Sequence, residues 1–259
     1  MLNKEKFKQL CLGLGIYRPV RRIYDRINPS RVEAVRESRE VLKEFLRPGD
    51  LCFDVGANVG RKTEALLGIG ARVVAVEPQP RCLRELQALF GGDPKFMIVP
   101  KAVGREPGTA KMHVSSQSTV SSLRADWFHR WDAEIDVEIT TLDTLIATHG
   151  IPRYIKMDIE GFELEALRGL STPVDYLSFE YNIRFIDQAY ACIDYLTRFG
   201  AMRLNFSLME DSRLLAGDNA WWDRETFDRR FREELERNPE NWGGDIFVRI
   251  EEVSNDAQA

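Results

Sequence analysis

The chain is 259 residues long, enough for one large domain with a full core. Hydrophobic residues make up 44% and charged residues 30%, an ordinary balance for a water-soluble globular protein. The formal net charge of −5 argues against a partner held by neutralising phosphates, and so against nucleic acid.

Residues 1–47 read as a charged helical extension. Lys4, Lys6 and Lys8 precede a short apolar run from Leu10 to Tyr17. That run holds two glycines and passes into Arg18-Pro19 and Arg21-Arg22 without a small-residue cleavage site, so it is expected to be retained rather than removed as a signal peptide. A basic amphipathic helix can visit a membrane surface or pack on the domain or on a second subunit; oligomerisation stays open. No apolar stretch approaches the roughly 20 residues needed to span a bilayer. Cys11, Cys52, Cys82 and Cys192 show no paired spacing and read as reduced thiols. The expected location is cytoplasmic, with the N-terminal helix as the part that could touch a membrane.

Pro48-Gly49-Asp50 is a turn that delivers the chain into the main domain, expected over 48–253. Strands and helices then alternate, the pattern of a mostly parallel sheet with helices on both faces. Strands are expected at 51–55, 72–77 and 95–102, with helices near 61–69 and 80–90. A non-helical insert follows. Residues 108–114 and 136–141 alternate like strands, separated by a Ser/Thr-rich loop at 115–122 and an aromatic stretch at 127–131. A helix at 142–148 leads to a strand at 154–157, a helix beginning near 160, a strand at 176–180 and a helix at 185–198. A strand near 201–208, a charged helix at 223–238 and a strand at 245–250 complete the domain. Residues 254–259 read as a frayed tail.

The chemistry gathers at strand ends, where open α/β sheets bind ligands. The first strand closes in Asp54 and a turn containing Gly56, Asn58 and Gly60, glycines that let backbone approach a ligand. The second closes in Glu77, at the distance from which a carboxylate can take both hydroxyls of a ribose. The dinucleotide pattern Gly-x-Gly-x-x-Gly is absent, and Asp54 would repel a pyrophosphate. An acid there suits a cationic ligand such as S-adenosylmethionine, and a nicotinamide-dependent oxidoreductase is disfavoured. Further along, the chain reads Lys156-Met157-Asp158-Ile159-Glu160-Gly161-Phe162-Glu163, and then Glu180-Tyr181-Asn182. Asp158 is the first choice for a general base or an orienting group on a hydroxyl, with Glu160 and His129 as further candidates. Glu160, Glu163 and Glu165 also suit a helix N-terminus. Glu180 and Asn182 could bond substrate. Asp158, Glu180 and Asn182 are hard oxygen ligands that would suit Mg²⁺, but their spacing departs from the Asp and Asp-Asn pair of catechol-type enzymes, and no metal is expected. Trp221, Trp222 and Trp242 read equally as acceptor-binding aromatics or as core. Arg229, Arg230 and Arg232 read as a solvated face beside Glu233, Glu234 and Glu236.

The segments FDVGANVG, VVAVEP, PKAVG, TLDTL, YIKMDIEGFELEALRG, LSFEYN and GGDIFVR, in this order over about residues 50–250, resemble the FkbM family of S-adenosylmethionine-dependent methyltransferases. The resemblance implies the class I, Rossmann-like methyltransferase sheet, seven strands with the last antiparallel between its neighbours. It implies that Asp54, Gly56, Asn58 and Gly60 hold the methionine part of the cofactor, that Glu77 binds the ribose, and that Ala102 and Val103 flank the adenine. It also implies that Ser121 and Ser122 close over the cofactor or acceptor, and that Asp158 stands near the transferable methyl. Known members are chiefly O-methyltransferases, so a hydroxyl of a carbohydrate or glycoconjugate is the expected acceptor. A small secondary metabolite as acceptor, or an inactive cofactor-binding scaffold, are the other readings. The sequence does not say which hydroxyl.

Overall fold

A computed structural model of the chain describes residues 4–115, 121–124, 131–208, 214 and 221–251. Three helices come first: α1 (Lys4–Gly13), α2 (Tyr17–Ile27) and α3 (Pro29–Lys43). The domain then alternates through β1 (Leu51–Val55), α4 (Arg61–Ile69), β2 (Arg72–Val76), α5 (Pro80–Phe90) and β3 (Phe96–Val99). An insert contributes β4 (Ala102–Val103), β5 (Gly108–Val114) and β6 (Ala133–Thr140). The second half runs α6 (Leu142–His149), β7 (Tyr154–Met157), α7 (Glu163–Arg168), β8 (Tyr176–Asn182), α8 (Ile186–Leu196), β9 (Met202–Phe206), α9 (Arg224–Arg237) and β10 (Gly243–Ile250).

The main sheet has seven strands in the order β3-β2-β1-β7-β8-β10-β9. All neighbours are parallel except β10, which is antiparallel to both β8 and β9. This is the class I arrangement that the resemblance implies. A second, three-stranded sheet, β4-β6-β5, belongs to the insert.

Strand residues alternate between two faces, and the two faces bury different things. Phe53, Val55, Ile155, Met157, Leu177 and Phe179 pack into the larger apolar core, which takes in residues of α6, α7, α8 and α9. On the opposite face Cys52, Val73, Tyr154 and Phe247 pack with Val35 and Leu42 of α3 and Ala65 and Leu66 of α4. Two residues further along each strand, Asp54, Lys156, Ser178 and Glu180 fall on this second face, toward the C-terminal ends of the parallel strands. Asp54 lies beside Lys156, and Lys156 beside Ser178, in the strand register. A row of polar side chains is therefore built into the sheet under α4.

The strand expected at 95–102 is split. Pro100 has no backbone N–H to give a ladder, and the Lys101 N–H turns back to the Val99 carbonyl (2.9 Å). Ala102 and Val103 leave the main sheet and pair with β6 instead. The helix expected from 160 begins at Glu163, because Glu160 (φ +54°) and Gly161 (φ +89°) are left-handed and cannot continue a right-handed helix. The tail at 254–259 lies outside the described residues.

Candidate active site

A cavity of about 620 Å³ opens at the C-terminal ends of β1, β2, β7 and β8. Its floor is the β1–α4 turn. Gly56 has φ +79°, and a Cβ there would lie 1.9 Å from the Asp158 carbonyl oxygen. The β1 and β7 loops thus touch backbone to backbone, which only glycine permits. Gly56→Ala is expected to cost at least about 2 kcal/mol, combining left-handed strain with overpacking; chemical denaturation would read it as a lower midpoint. Asn58 is also left-handed (φ +49°), a conformation Asn tolerates better than most residues. Gly60 does not line the cavity. Its missing Cβ makes room for Phe90 and Leu86 of α5, so its role in the structure is helix packing.

Glu77 ends β2 and is 3% exposed. One carboxylate oxygen accepts the Asn58 N–H and the other the Gln79 N–H, both at 2.8 Å. Burial pushes its carboxyl up to about 7 against these two bonds. Each oxygen keeps a further lone pair, and the residue lines the cavity.

Asp54 is fully buried and accepts from the Thr63 hydroxyl (2.5 Å) on α4. Its other oxygen has no hydrogen-bond partner. Burial raises its carboxyl, opposed by the nearby Lys156 ammonium. Lys156 is 4% exposed and donates to Asp158 Oδ2 (2.5 Å). Burial acts against its charge, but Asp158, Asp245 and Asp54 surround it and hold the ammonium above its ordinary value. Lys62, also beneath the cavity, is lowered by burial and lies 3.9 Å from Asp245. Lys156, Lys62 and Asp245 carried no assigned role in the sequence. The strand period of 2 could have placed Lys156 beside Asp54; nothing local announces Asp245.

Asp158 faces the cavity with 40% of its side chain exposed. Burial opposes its charge, yet Lys156 holds its carboxyl below the usual range, and a hydrogen bond from Glu180 adds to the effect. Glu180 is raised well above its usual value by burial and by the neighbouring carboxylates Asp158, Glu160 and Glu163. The two shifts run in opposite directions, Asp158 toward its charged form and Glu180 toward its neutral form. The second oxygen of Glu180 is buried without a partner. Asn182 lines the cavity, its side-chain oxygen accepting the Arg184 N–H (3.0 Å).

Carboxylate oxygens of Asp158, Glu160 and Glu180 come within 4.8 Å of one another, which overlaps the Mg²⁺ set considered from sequence but exchanges Asn182 for Glu160. Lys156 already pairs with Asp158, so a divalent ion would have to compete with its ammonium.

Glu163, read from sequence as a helix-terminus acid, is a loop clamp. It is buried and accepts the backbone N–H groups of Ile159 (3.0 Å) and Gly161 (3.4 Å). Burial lifts its carboxyl to about 7. Glu165 pairs with Arg168 on the surface. Ala102, Val103 and Ser121 line the cavity beside Met112 and Leu123 of the insert. Ser122 does not. It is buried and donates to the Glu160 carbonyl (2.7 Å), tying the insert to the β7 loop. His129 lies outside the described residues.

The tryptophans separate. Trp221 packs among Phe45 and Tyr176. Trp222 is buried against Phe206, with Arg230 over its ring. Trp242 is 47% exposed and lines the cavity.

Residues 54–191, just over half of the chain, match the methyltransferase FkbM domain. The chain is also 25% identical over 156 residues to the hexuronic acid methyltransferase AglP of Haloferax volcanii. That match takes in 58% of this chain and spans 63% of the relative's length. Among solved structures the chain is similar to a TehB-like SAM-dependent methyltransferase from Corynebacterium glutamicum (11% identical, covering 82% of this chain and 87% of that one, TM-score 0.42). It is also similar to an rRNA methylase from Streptococcus thermophilus (13% identical, 83% and 95% covered, TM-score 0.44). The chain belongs to the FkbM methyltransferase family.

Proposed function

We propose that this member of the FkbM methyltransferase family uses S-adenosyl-L-methionine to methylate a hydroxyl of a carbohydrate or glycoconjugate. One observation carries the reading: the buried Glu77 and the half-exposed Asp158 line a single cavity from the ends of β2 and β7, on either side of β1. The first offers two acceptor oxygens suited to the hydroxyls of a ribose, and the second an acceptor oxygen suited to a substrate hydroxyl.

The residues fit the cofactor. Each Glu77 oxygen holds one backbone N–H and has a lone pair left for one of two vicinal hydroxyls. Ala102, Val103, Met112 and Leu123 give the cavity an apolar wall suited to a flat base. Asp54, beneath the turn, has an oxygen without a partner and favours positive charge above it. When bound, the cofactor supplies an electrophilic methyl group on a positively charged sulfur. The chain's own residues do the rest. Asp158, kept ionised by Lys156, accepts a hydrogen bond from the acceptor hydroxyl and takes its proton as the new bond forms. Glu180, held toward its neutral form, can hydrogen-bond the Asp158 carboxylate before the proton arrives. Fixing the hydroxyl in line can contribute several kcal/mol by orientation alone.

Trp242 is placed to stack on the apolar face of a sugar ring, and Arg184 and Lys101 line the same cavity. The relative in Haloferax volcanii acts, by its name, on a hexuronic acid, and an acidic sugar here would compete with Glu138, which pairs with Lys101 (2.9 Å). Trp242→Ala is expected to raise the acceptor KM about tenfold, the loss of one stacking contact of ~1.5 kcal/mol, with cofactor affinity unchanged. Steady-state kinetics on the acceptor checks this.

The decisive experiment offers methyl-labelled S-adenosyl-L-methionine with oligosaccharides containing neutral sugars or hexuronic acids. Alkali-stable label on the glycan is the expected result, since an ether survives mild alkali. Label released by mild alkali would mean a methyl ester on a carboxylate and would overturn the hydroxyl assignment.

A further inference from the structure

We infer that the outer face of α1 and α2 docks on an anionic lipid bilayer. Residues 1–27 carry seven Lys and Arg against two acids, a net of +5 in a chain whose total is −5. Phe7, Leu10, Leu14, Ile16, Ile23 and Ile27 all stand exposed there. Only four other large apolar side chains are exposed among the described residues, so apolar exposure is concentrated on this segment and not spread over the surface.

The two faces of α2 are built differently. On the inner face Tyr17 is buried and donates to Glu85 of α5 (2.9 Å), and Lys8 of α1 pairs with the same carboxylate (2.6 Å). Arg21 bonds Asp25 (3.0 Å), and Arg31 at the start of α3 bridges Asp25 and Glu64 of α4. These charges are spent on holding the helices to the domain. On the outer face Arg18, Arg22 and Arg26 form one column at i, i+4 and i+8, and all three are exposed. The next column, Pro19, Ile23 and Ile27, is exposed as well. An apolar stripe edged by arginines, on a helix fixed in place from behind, matches the interface of acyl chains and anionic headgroups. A neutral protein surface would satisfy the isoleucines and leave the arginine column without counter-charge.

The segment is tied to α4 through α3. Arg31 meets Glu64, within the first turn of α4, whose leading residues Arg61 and Lys62 line the cavity.

The test is sedimentation of the whole protein with phosphatidylcholine vesicles, with and without phosphatidylglycerol. Binding is expected only to the vesicles containing phosphatidylglycerol, and is expected to weaken as salt is raised. Replacing Arg18, Arg22 and Arg26 together by Gln should weaken it on the order of a hundredfold, about fivefold per arginine. Ile23→Glu with Ile27→Glu should abolish it. Both variants change only exposed side chains, and unchanged melting temperatures would show them folded. Equal binding to both vesicle types, no binding at low salt, or wild-type binding by the folded variants would overturn the inference. So would a soluble dimer that the isoleucine variant dissolves, since a second copy would then be the occupant.

Discussion

Glu77→Ala is expected to lower affinity for S-adenosyl-L-methionine and S-adenosylhomocysteine by on the order of a thousandfold, two charge-assisted bonds at about 1.5–3 kcal/mol each. Calorimetric titration reads it directly. The carboxylate also fixes the Asn58 and Gln79 backbone (2.8 Å each) and so shapes the turn that the ligand would meet. The effect should also be visible in wild type through pH. Burial places this carboxyl at about 7, so below pH 7 it is mostly neutral and a weaker acceptor. Affinity should rise with pH, at most tenfold per unit, and level off above pH 7. Stability of the ligand-free protein should move the other way. The folded value lies above the unfolded 4.5, so the fold holds a proton that the unfolded chain has already released. The stabilisation is complete below about pH 4.5 and is lost as pH rises through 7. Glu163, also lifted to about 7, adds in the same direction. Glu77→Gln should flatten both curves in part. Unaltered affinity in Glu77→Ala would remove the ribose assignment and, with it, the main support for the cofactor.

Much of this site is legible because two simple periods generate it. The strand period places Asp54 at the end of a buried run, and the turn glycines announce backbone contact. Gly56 is needed where the β1 loop meets the Asp158 carbonyl. The carboxylates of Glu77, Asp158 and Glu180 could be collected from strand ends without knowing a single distance. What stayed hidden depends on pairing between distant strands. Lys156 looks like a solvated residue in a short strand until its register with Asp54 is known. Asp245 reaches the same cluster only because β10 enters antiparallel beside β8. The motif points Gly60 to the cofactor and Ser122 to the cofactor or acceptor; in the structure Gly60 seats α5 and Ser122 holds a loop. A motif marks which positions are constrained, and the constraint can be packing as easily as contact with a ligand. Glu163 shows the converse, since a carboxylate that looks like dipole compensation is buried and holds two N–H groups of the active loop.

Asp158→Asn separates binding from chemistry. Turnover is expected to fall by about 10²–10⁴, the range for loss of a positioned base, while cofactor affinity stays within a fewfold of wild type. The substitution keeps an oxygen for Lys156 and removes the charge, and Lys156 retains Asp54 and Asp245 around it. Lys156→Met asks the complementary question. Lys156 holds the Asp158 carboxyl below its usual range, so without it that carboxyl should rise. The acid limb of the rate profile should then shift to higher pH, with the same group still at work. A group that only orients the acceptor would give a different pair of results: Asp158→Asn would raise the acceptor KM with little loss of kcat, and Lys156→Met would leave the acid limb in place. A chain that serves as a scaffold would tolerate Asp158→Asn fully in cells. Glu180, held toward its neutral form, decides the last distinction. Glu180→Gln keeps a donor toward Asp158 but cannot share a proton with it, so a base mechanism predicts slower turnover, and a purely structural hydrogen bond predicts none.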